Sequence, residues 1–434
     1  MARERPVKFV FASYGTRGDV EPCVVIGREL VRRGHQVRLA VPPDQVGFVE
    51  SGGLPAVEYG LDVRAPVEAA RDFFHALTHR FWNVTGLIRL YRNLFRPVRE
   101  CWTEMNRTLL VVTDSADVVI TGPSFPEVVA NVAERNAISL VALHFYPQRP
   151  NGRLVPGLPA PLVRWMVELN DWLYWRLTKG IENAQRAELG LAPARTPAPG
   201  RLIARGTLEI QAYDPICFPG LATEWAQWES QRPFVGALTM EMATEVDDEV
   251  LSWIAAGSAP ILFGFGSIPV KSPAEMMDMI TSACAELGAR ALVVAGWSDM
   301  AGLRVPDDVK LVTSVSYAAV FPQCRAVVHH GGAGTIPIGL RAGVPTLALW
   351  LLPEQSFYGG QLKRLGAGYA RRFAKTTPKT LVKDLTRVLE SDCTQRARAL
   401  GSQMSDAAVS CRRAADILEE YARRDSPQRR RSAD

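Results

Sequence analysis

Short apolar, β-branched runs alternate with stretches of helical period along almost the whole 434-residue chain, and this alternation constrains the fold more than any other feature. A run such as VKFVFAS (7–13) is too continuously apolar for a strand with one wet face. It suits a strand covered on both sides, and so a parallel sheet with helices packed above and below. QVRLAVP (36–42), DVVITG (117–122) and SLVALHFYP (139–147) repeat the pattern, with EPCVVIGRELVRRG (21–34) as a helix after the first run. A second series follows: PILFGFGS (260–267), ARALVVAG (289–296), VKLVTSV (309–315), AVVHHGG (326–332) and PTLALWL (345–351). Helical stretches such as PAEMMDMITSACAELG (273–288) separate its members. The expected architecture is α/β, with two doubly wound Rossmann-like domains facing each other across a cleft. The first spans 1–213 and the second 244–420. Residues 214–243, rich in Pro, Gly and Trp and without a clear period, read as the linker.

The net charge of +5 hints at nucleic acid until it is located. Five arginines and two aspartates fall between Tyr421 and Asp434, so +3 of it lies in a polar tail, 421–434, expected to be disordered. The remainder is nearly neutral, and no nucleic-acid partner is expected. Seven cysteines without a CxxC pair argue against a disulfide framework or a zinc site. No window approaches a membrane span and Met1–Gly15 lacks a signal-peptide pattern, so the cytoplasm is the expected location. A second basic stretch, Arg71–Arg107, holds seven arginines against three acids. Within it Leu87, Leu90, Tyr91 and Leu94 share one helical face while Arg89, Arg92 and Arg96 share the other, and Pro97 reads as the end of that helix. An aromatic cluster, Trp165, Trp172, Tyr174 and Trp175, follows. Both segments suit ordinary packing helices. They also suit an apolar acceptor channel with a basic rim against the anionic inner face of the plasma membrane.

Chemistry is concentrated in turns between strands and helices. In VVHHGGAGTIPIGLRAGVP (327–345), Gly331, Gly332, Gly334 and Thr335 occupy such a turn, where glycine lets backbone amides approach an anion and the helix start adds partial positive charge. With His330 as a further donor, the local reading is a diphosphate site or, more plainly, a tight turn with buried histidines. The string matches neither GxxxxGK[ST] nor GxGxxG. FGFGS (263–267) places Ser267 after another strand, as a ligand contact or a cap. SYGTRGDVEP (13–22) sets Asp19 ahead of Pro22 and the expected helix, as an N-terminal cap or as a general base. Glu354 and Gln355 follow a strand in LLPEQSFYGGQL, where paired acceptor and donor groups suit sugar hydroxyls.

Taken in order, GTRGDVEP, GFGS, HHGGAGT, RAGVP and EQ resemble the family 1 glycosyltransferases of GT-B fold, from about Val7 to Glu390. ASYGTRGDVEPC, EIQAYD, RPFVGALTME and FPQCRAVVHHGGAGT are similar to mycobacterial enzymes that glycosylate, among other sugars with rhamnose, glycopeptidolipids and related envelope lipids. The resemblance implies a metal-independent, inverting hexosyltransferase with no cofactor, using a nucleoside-diphosphate sugar (dTDP- or UDP-linked) as co-substrate and an apolar, lipid-like acceptor. Asp19 matches the catalytic base, with Gly15, Thr16, Arg17 and Gly18 as the acceptor-side loop. His330, Gly332, Gly334 and Thr335 match the diphosphate cradle, Ser267 a phosphate contact, and Glu354 with Gln355 the sugar-binding pair. The backbone around Val315 and Tyr317 matches the segment that borders the nucleotide base. Ile338 stands where many members place a ribose-binding glutamate, which is compatible with a deoxyribose donor. Ser314 replaces an aromatic before the base segment, and Glu354 the more usual aspartate. The chemical alternatives are a non-catalytic GT-B protein that binds a partner transferase, and a glycosyltransferase of natural products or sterols.

Overall fold

The computed structural model describes residues 5–63, 84–240, 244–264, 272–296, 300 and 303–424, with 84–97 and 353 as backbone alone. Two six-stranded sheets carry the fold, and every pairing within them is parallel. The first comprises β1 (Lys8–Ala12), β2 (Gln36–Val41), β3 (Ala56–Glu58), β4 (Val118–Thr121), β5 (Ser139–His144) and β6 (Leu208–Gln211), in the order β3-β2-β1-β4-β5-β6. The second comprises β7 (Ile261–Gly264), β8 (Ala291–Val294), β9 (Val309–Val312), β10 (Ala326–His329), β11 (Thr346–Trp350) and β12 (Gly368–Arg372), in the order β12-β11-β10-β7-β8-β9. The two orders are equivalent, so each sheet has its switch point beside its own first strand, at β1/β4 and at β7/β10. Open sheets of this kind bind ligands at the carboxyl ends of those strands.

Burial on both faces explains the continuous apolar runs. In the first sheet Phe9 and Phe11 enter one core layer, while Val10 and Ala12 enter the opposite one. The first layer is closed by α1 (Arg17–Arg32). The second is closed by Trp102, Met105 and Leu109 of α2 (Val84–Val112), together with α3 (Pro126–Asn136). Pro97 does not end α2, which continues unbroken to Val112. The packing of Trp102, Met105 and Leu109 on the sheet outweighs the one hydrogen bond that proline removes. The Leu87–Arg96 faces lie outside the described side chains.

A 29-residue helix, α4 (Ala160–Glu188), flanks the same side. The second sheet carries α5 (Thr335–Arg341) and α6 (Pro353–Leu365) at its carboxyl edge. The linker region is packed rather than extended: Phe218, Leu221 and Trp225 are buried in an apolar layer shared with Ile336, Tyr358 and Leu362. One expectation about the tail is corrected. Helix α7 (Ala407–Arg424) runs past Tyr421 and returns to the first sheet, where Ala414, Ala415 and Leu418 join the layer beneath α1. Its apolar face supplies the burial that keeps those residues helical. Residues 425–434 lie outside the described part.

Candidate active site

The cleft between the two sheets has a volume of about 920 Å³ and is lined by loops from both switch points. On the first sheet, β1 leads through Ser13 and Tyr14 into α1, which begins at Arg17 rather than at Glu21. Pro22 lies inside the helix, early enough that its missing N–H costs a single bond near the end. Asp19 therefore stands in the first turn, where the Thr16 N–H donates to its Oδ2 at 2.9 Å and the Ser13 hydroxyl donates to its backbone carbonyl at 2.8 Å. Only glycine fits at Gly15: its φ is +152°, and a Cβ there would lie 2.2 Å from Asp19 Oδ2. Asp19 thus performs the capping role expected of it and lines the cleft as well. Burial, opposed by the Thr16 hydrogen bonds and reinforced by the charge of Glu354, pushes its carboxyl up to about 7.

The facing loop leaves β10. Gly331 donates its N–H to His329 Nδ1 at 3.0 Å, and the N–H groups of Thr335 and Ile336 both reach the Gly332 carbonyl at 3.1 Å. Between them the amides of Gly332, Ala333 and Gly334 have no acceptor among the described residues, and all three residues line the cleft. Successive unpaired amides at a helix start form a concavity for an anion. His330 borders it. Its Nδ1 is buried without a partner among the described residues, and desolvation holds the ring down at about 4, so it is neutral near pH 7 and carries one N–H to donate. The two loops meet across the cleft, since a Cβ on Gly334 would lie 3.7 Å from Gly18 Cα.

Glu354 and Gln355 open α6 in the same cleft. Burial raises the Glu354 carboxyl above its usual range. Gln355 Oε1 accepts from the N–H groups of Leu351 at 2.9 Å and Leu352 at 3.1 Å, so its carbonyl shapes the turn and only its amide nitrogen remains for a ligand. Helix α6 is also tied to the first domain, through Tyr358 O–H donating to the Phe145 carbonyl at 2.8 Å. Further along, Val315 and Tyr317 line the cleft, the Ser316 N–H donates to Asp247 Oδ1 at 2.9 Å, and Tyr317 stacks on Phe321 with centroids 4.6 Å apart. Ser267 lies outside the described residues. The remaining expected positions, Gly15 to Gly18 included, all line the one cleft.

Each half of the chain also matches a family model. Residues 9–151 match the glycosyltransferase family 28 N-terminal domain, and residues 275–421 the C-terminal domain of erythromycin biosynthesis protein CIII-like proteins. An uncharacterized glycosyltransferase of Mycobacterium tuberculosis is 54% identical over 420 residues, covering 96% of this chain and 100% of its own. The chain belongs to the GT-B glycosyltransferases. A sterol 3-beta-glucosyltransferase of Arabidopsis thaliana is 26% identical over 377 residues, 84% of this chain and 60% of that one. Among solved structures, the glycosyltransferase VinC in complex with dTDP superposes with a TM-score of 0.62 at 19% identity, over 96% of this chain and 100% of that one.

Several cleft residues of this glycosyltransferase escaped the sequence reading. Tyr146 follows β5, and burial, with smaller contributions from the charges of Glu354 and Asp19, pushes its phenol up to about 12. The HFYP strand end was the available signal. Phe125 lines the first-domain side with a left-handed φ of 54°, against the extended conformation expected before Pro126, and makes edge contacts with Tyr14 and Trp102. Behind it, Tyr174 donates to the buried Glu127 at 2.9 Å. No local pattern announces Phe125 or Glu127, whereas Tyr174 belongs to the aromatic cluster that the sequence offered as part of an acceptor channel.

Proposed function

We propose that this glycosyltransferase moves a hexose from a nucleoside-diphosphate donor, dTDP-linked in preference to UDP-linked, to a hydroxyl of an apolar, lipid-like acceptor, with inversion at the anomeric carbon. The carrying observation is the confrontation of a carboxyl poised near neutrality, Asp19, with three consecutive amides at Gly332–Gly334 on the opposite wall that have no acceptor among the described residues. The acceptor hydroxyl gives its proton to Asp19 as its oxygen bonds to the anomeric carbon. The bond from that carbon to the β-phosphate oxygen breaks, and the diphosphate leaves with the electron pair. The amides, the His330 N–H and the Thr335 hydroxyl oppose the charge that develops on it. Glu354 and the Gln355 amide nitrogen orient the sugar, while Val315 and Tyr317 border the base.

Apolar Ile338 lines the cleft and offers no acceptor to ribose hydroxyls, which favours a deoxyribose donor. The VinC complex holds dTDP, and the Arabidopsis relative is named for a sterol acceptor, in line with this reading. The acceptor half of the cleft is itself apolar and aromatic, with Leu61, Val63, Phe125 and Phe145 in its wall.

The test is a donor titration coupled to single turnover. Thymidine diphosphate should bind more tightly than uridine diphosphate, and Asp19→Asn should keep that affinity while slowing single-turnover transfer, or hydrolysis of dTDP-sugar where no acceptor is supplied, by about 10²–10⁴-fold. Equal turnover in the variant would refute the assignment of the base.

A further inference from the structure

Helix α4 presents an outer face that its own fold does not cover. Leu162, Trp165, Met166, Trp172, Leu173 and Leu177 recur at helical spacing and are all exposed, Trp165 at 55%, Trp172 at 48% and Leu177 at 50%. Scattered apolar residues on a surface need no explanation, but a continuous stripe with two tryptophans does. Its charge pattern is uneven. Arg164 is paired with Glu224, and Glu168 and Asp171 follow, but from Trp172 to Lys179 the helix carries Arg176 and Lys179 and no acid. The Arg176 guanidinium sits 5.7 Å from the Trp172 ring centroid and the Lys179 ammonium 4.9 Å from that of Trp175. Among the described residues neither cation has a carboxylate within ion-pair distance. An apolar stripe carrying tryptophans, with cations beside them that have no carboxylate partner among the described residues, is the composition of a helix that lies in a lipid interface, with its cations reaching the headgroups. The same helix also borders the cleft, because Tyr174, on the face next to Leu177, lines it. No described helix is long and apolar enough to cross a membrane, so contact through this face would be peripheral.

We propose that the outer face of α4 docks on an anionic bilayer, placing the acceptor mouth beside Tyr174 at the lipid surface. This builds on the reading of an apolar acceptor, yet it is tested without turnover. The full-length protein is floated with phosphatidylcholine vesicles, with and without phosphatidylglycerol, and compared with a Trp165→Ser, Trp172→Ser, Leu177→Ser variant. All three positions are exposed, and retained thermal stabilisation by thymidine diphosphate reports that the variant folds with its donor site intact. The expected result is flotation that needs phosphatidylglycerol and weakens at least about tenfold in the variant. Two results would overturn the proposal: no flotation of the wild type with anionic vesicles, or equal flotation of the variant. Light scattering that finds a dimer abolished by the variant, without vesicle binding, would assign the face to a second copy instead and equally overturn it. Failure of the transferase reading is separate, since it shows in Asp19→Asn turnover and leaves flotation unchanged.

Discussion

At the residue scale the account turns on Asp19. A helix start should favour its charged form, and the Thr16 N–H does so, yet burial and the nearby Glu354 win and raise the carboxyl from 3.8 to about 7. Two consequences follow from that sign. Turnover should rise with pH through about 7 as the base loses its proton, and the limb should vanish in any residual activity of Asp19→Asn; a pH–rate profile checks this. Stability should move the other way. Between pH 4 and 7 the unfolded chain has released this proton while the folded chain retains it, so folding weakens as pH rises and the penalty is complete above the folded value. Asp19→Asn removes that penalty and keeps an oxygen for the Thr16 N–H, so its melting midpoint at pH 8 should exceed the wild type's, by about 1–3 kcal/mol in stability, with no such gain at pH 4. A residue that loses activity and gains stability when neutralised is the expected mark of a strained functional carboxylate. The proximity of GTRGD to a helix start was legible from residue types; the opposition of Asp19 to Glu354, 335 positions later, was not, because it depends on how two domains face each other.

At the element scale, strands were far more legible than helix ends. Nine apolar runs announced strands because burial on both faces leaves an unbroken apolar signature, whereas β3, β6 and β12 escaped. Glu58 in β3 and Arg371 and Arg372 in β12 interrupt the pattern at sheet edges, and β6 reads LEIQ because Glu209 is buried against Arg149 and Arg232 rather than exposed. Prolines misled in both directions, since Pro22 and Pro97 each lie within a helix held by tertiary packing. Gln355 carries the lesson into the site. Its neighbours in sequence suggest a sugar ligand, but its carbonyl holds the strand-to-helix turn before α6. Gln355→Ala should therefore destabilise the fold by about 1–3 kcal/mol, by stranding two N–H groups, as well as weaken donor binding. Thermal unfolding without ligand separates the two effects, and an unchanged midpoint would leave Gln355 a ligand only.

At the scale of the whole molecule, the cleft exists because two sheets of equivalent order are locked face to face. The Arg341 guanidinium donates to Thr239 Oγ1 at 2.7 Å, the Ala237 carbonyl at 2.9 Å and the Ser405 carbonyl at 2.8 Å, joining α5 to the chain on either side of the second domain. Helix α7 then crosses back, with the Tyr421 hydroxyl donating to the Leu140 carbonyl at 3.2 Å. A chain ending at Met404 should keep its second sheet but expose the α1 layer, and limited proteolysis should cut it first in the first domain. Cleavage confined to the second domain would contradict this. Alternation alone revealed two doubly wound units, but it carries no information on a terminal helix that packs far from its sequence neighbours. The cleft's two walls remain the central claim, and a structure with an intact dTDP-sugar tests it most directly. The account predicts the diphosphate against the amides of Gly332–Gly334, within hydrogen-bond reach of His330 and Thr335, and the anomeric carbon open toward Asp19. A diphosphate held elsewhere, or an anomeric carbon turned from that carboxylate, would contradict it.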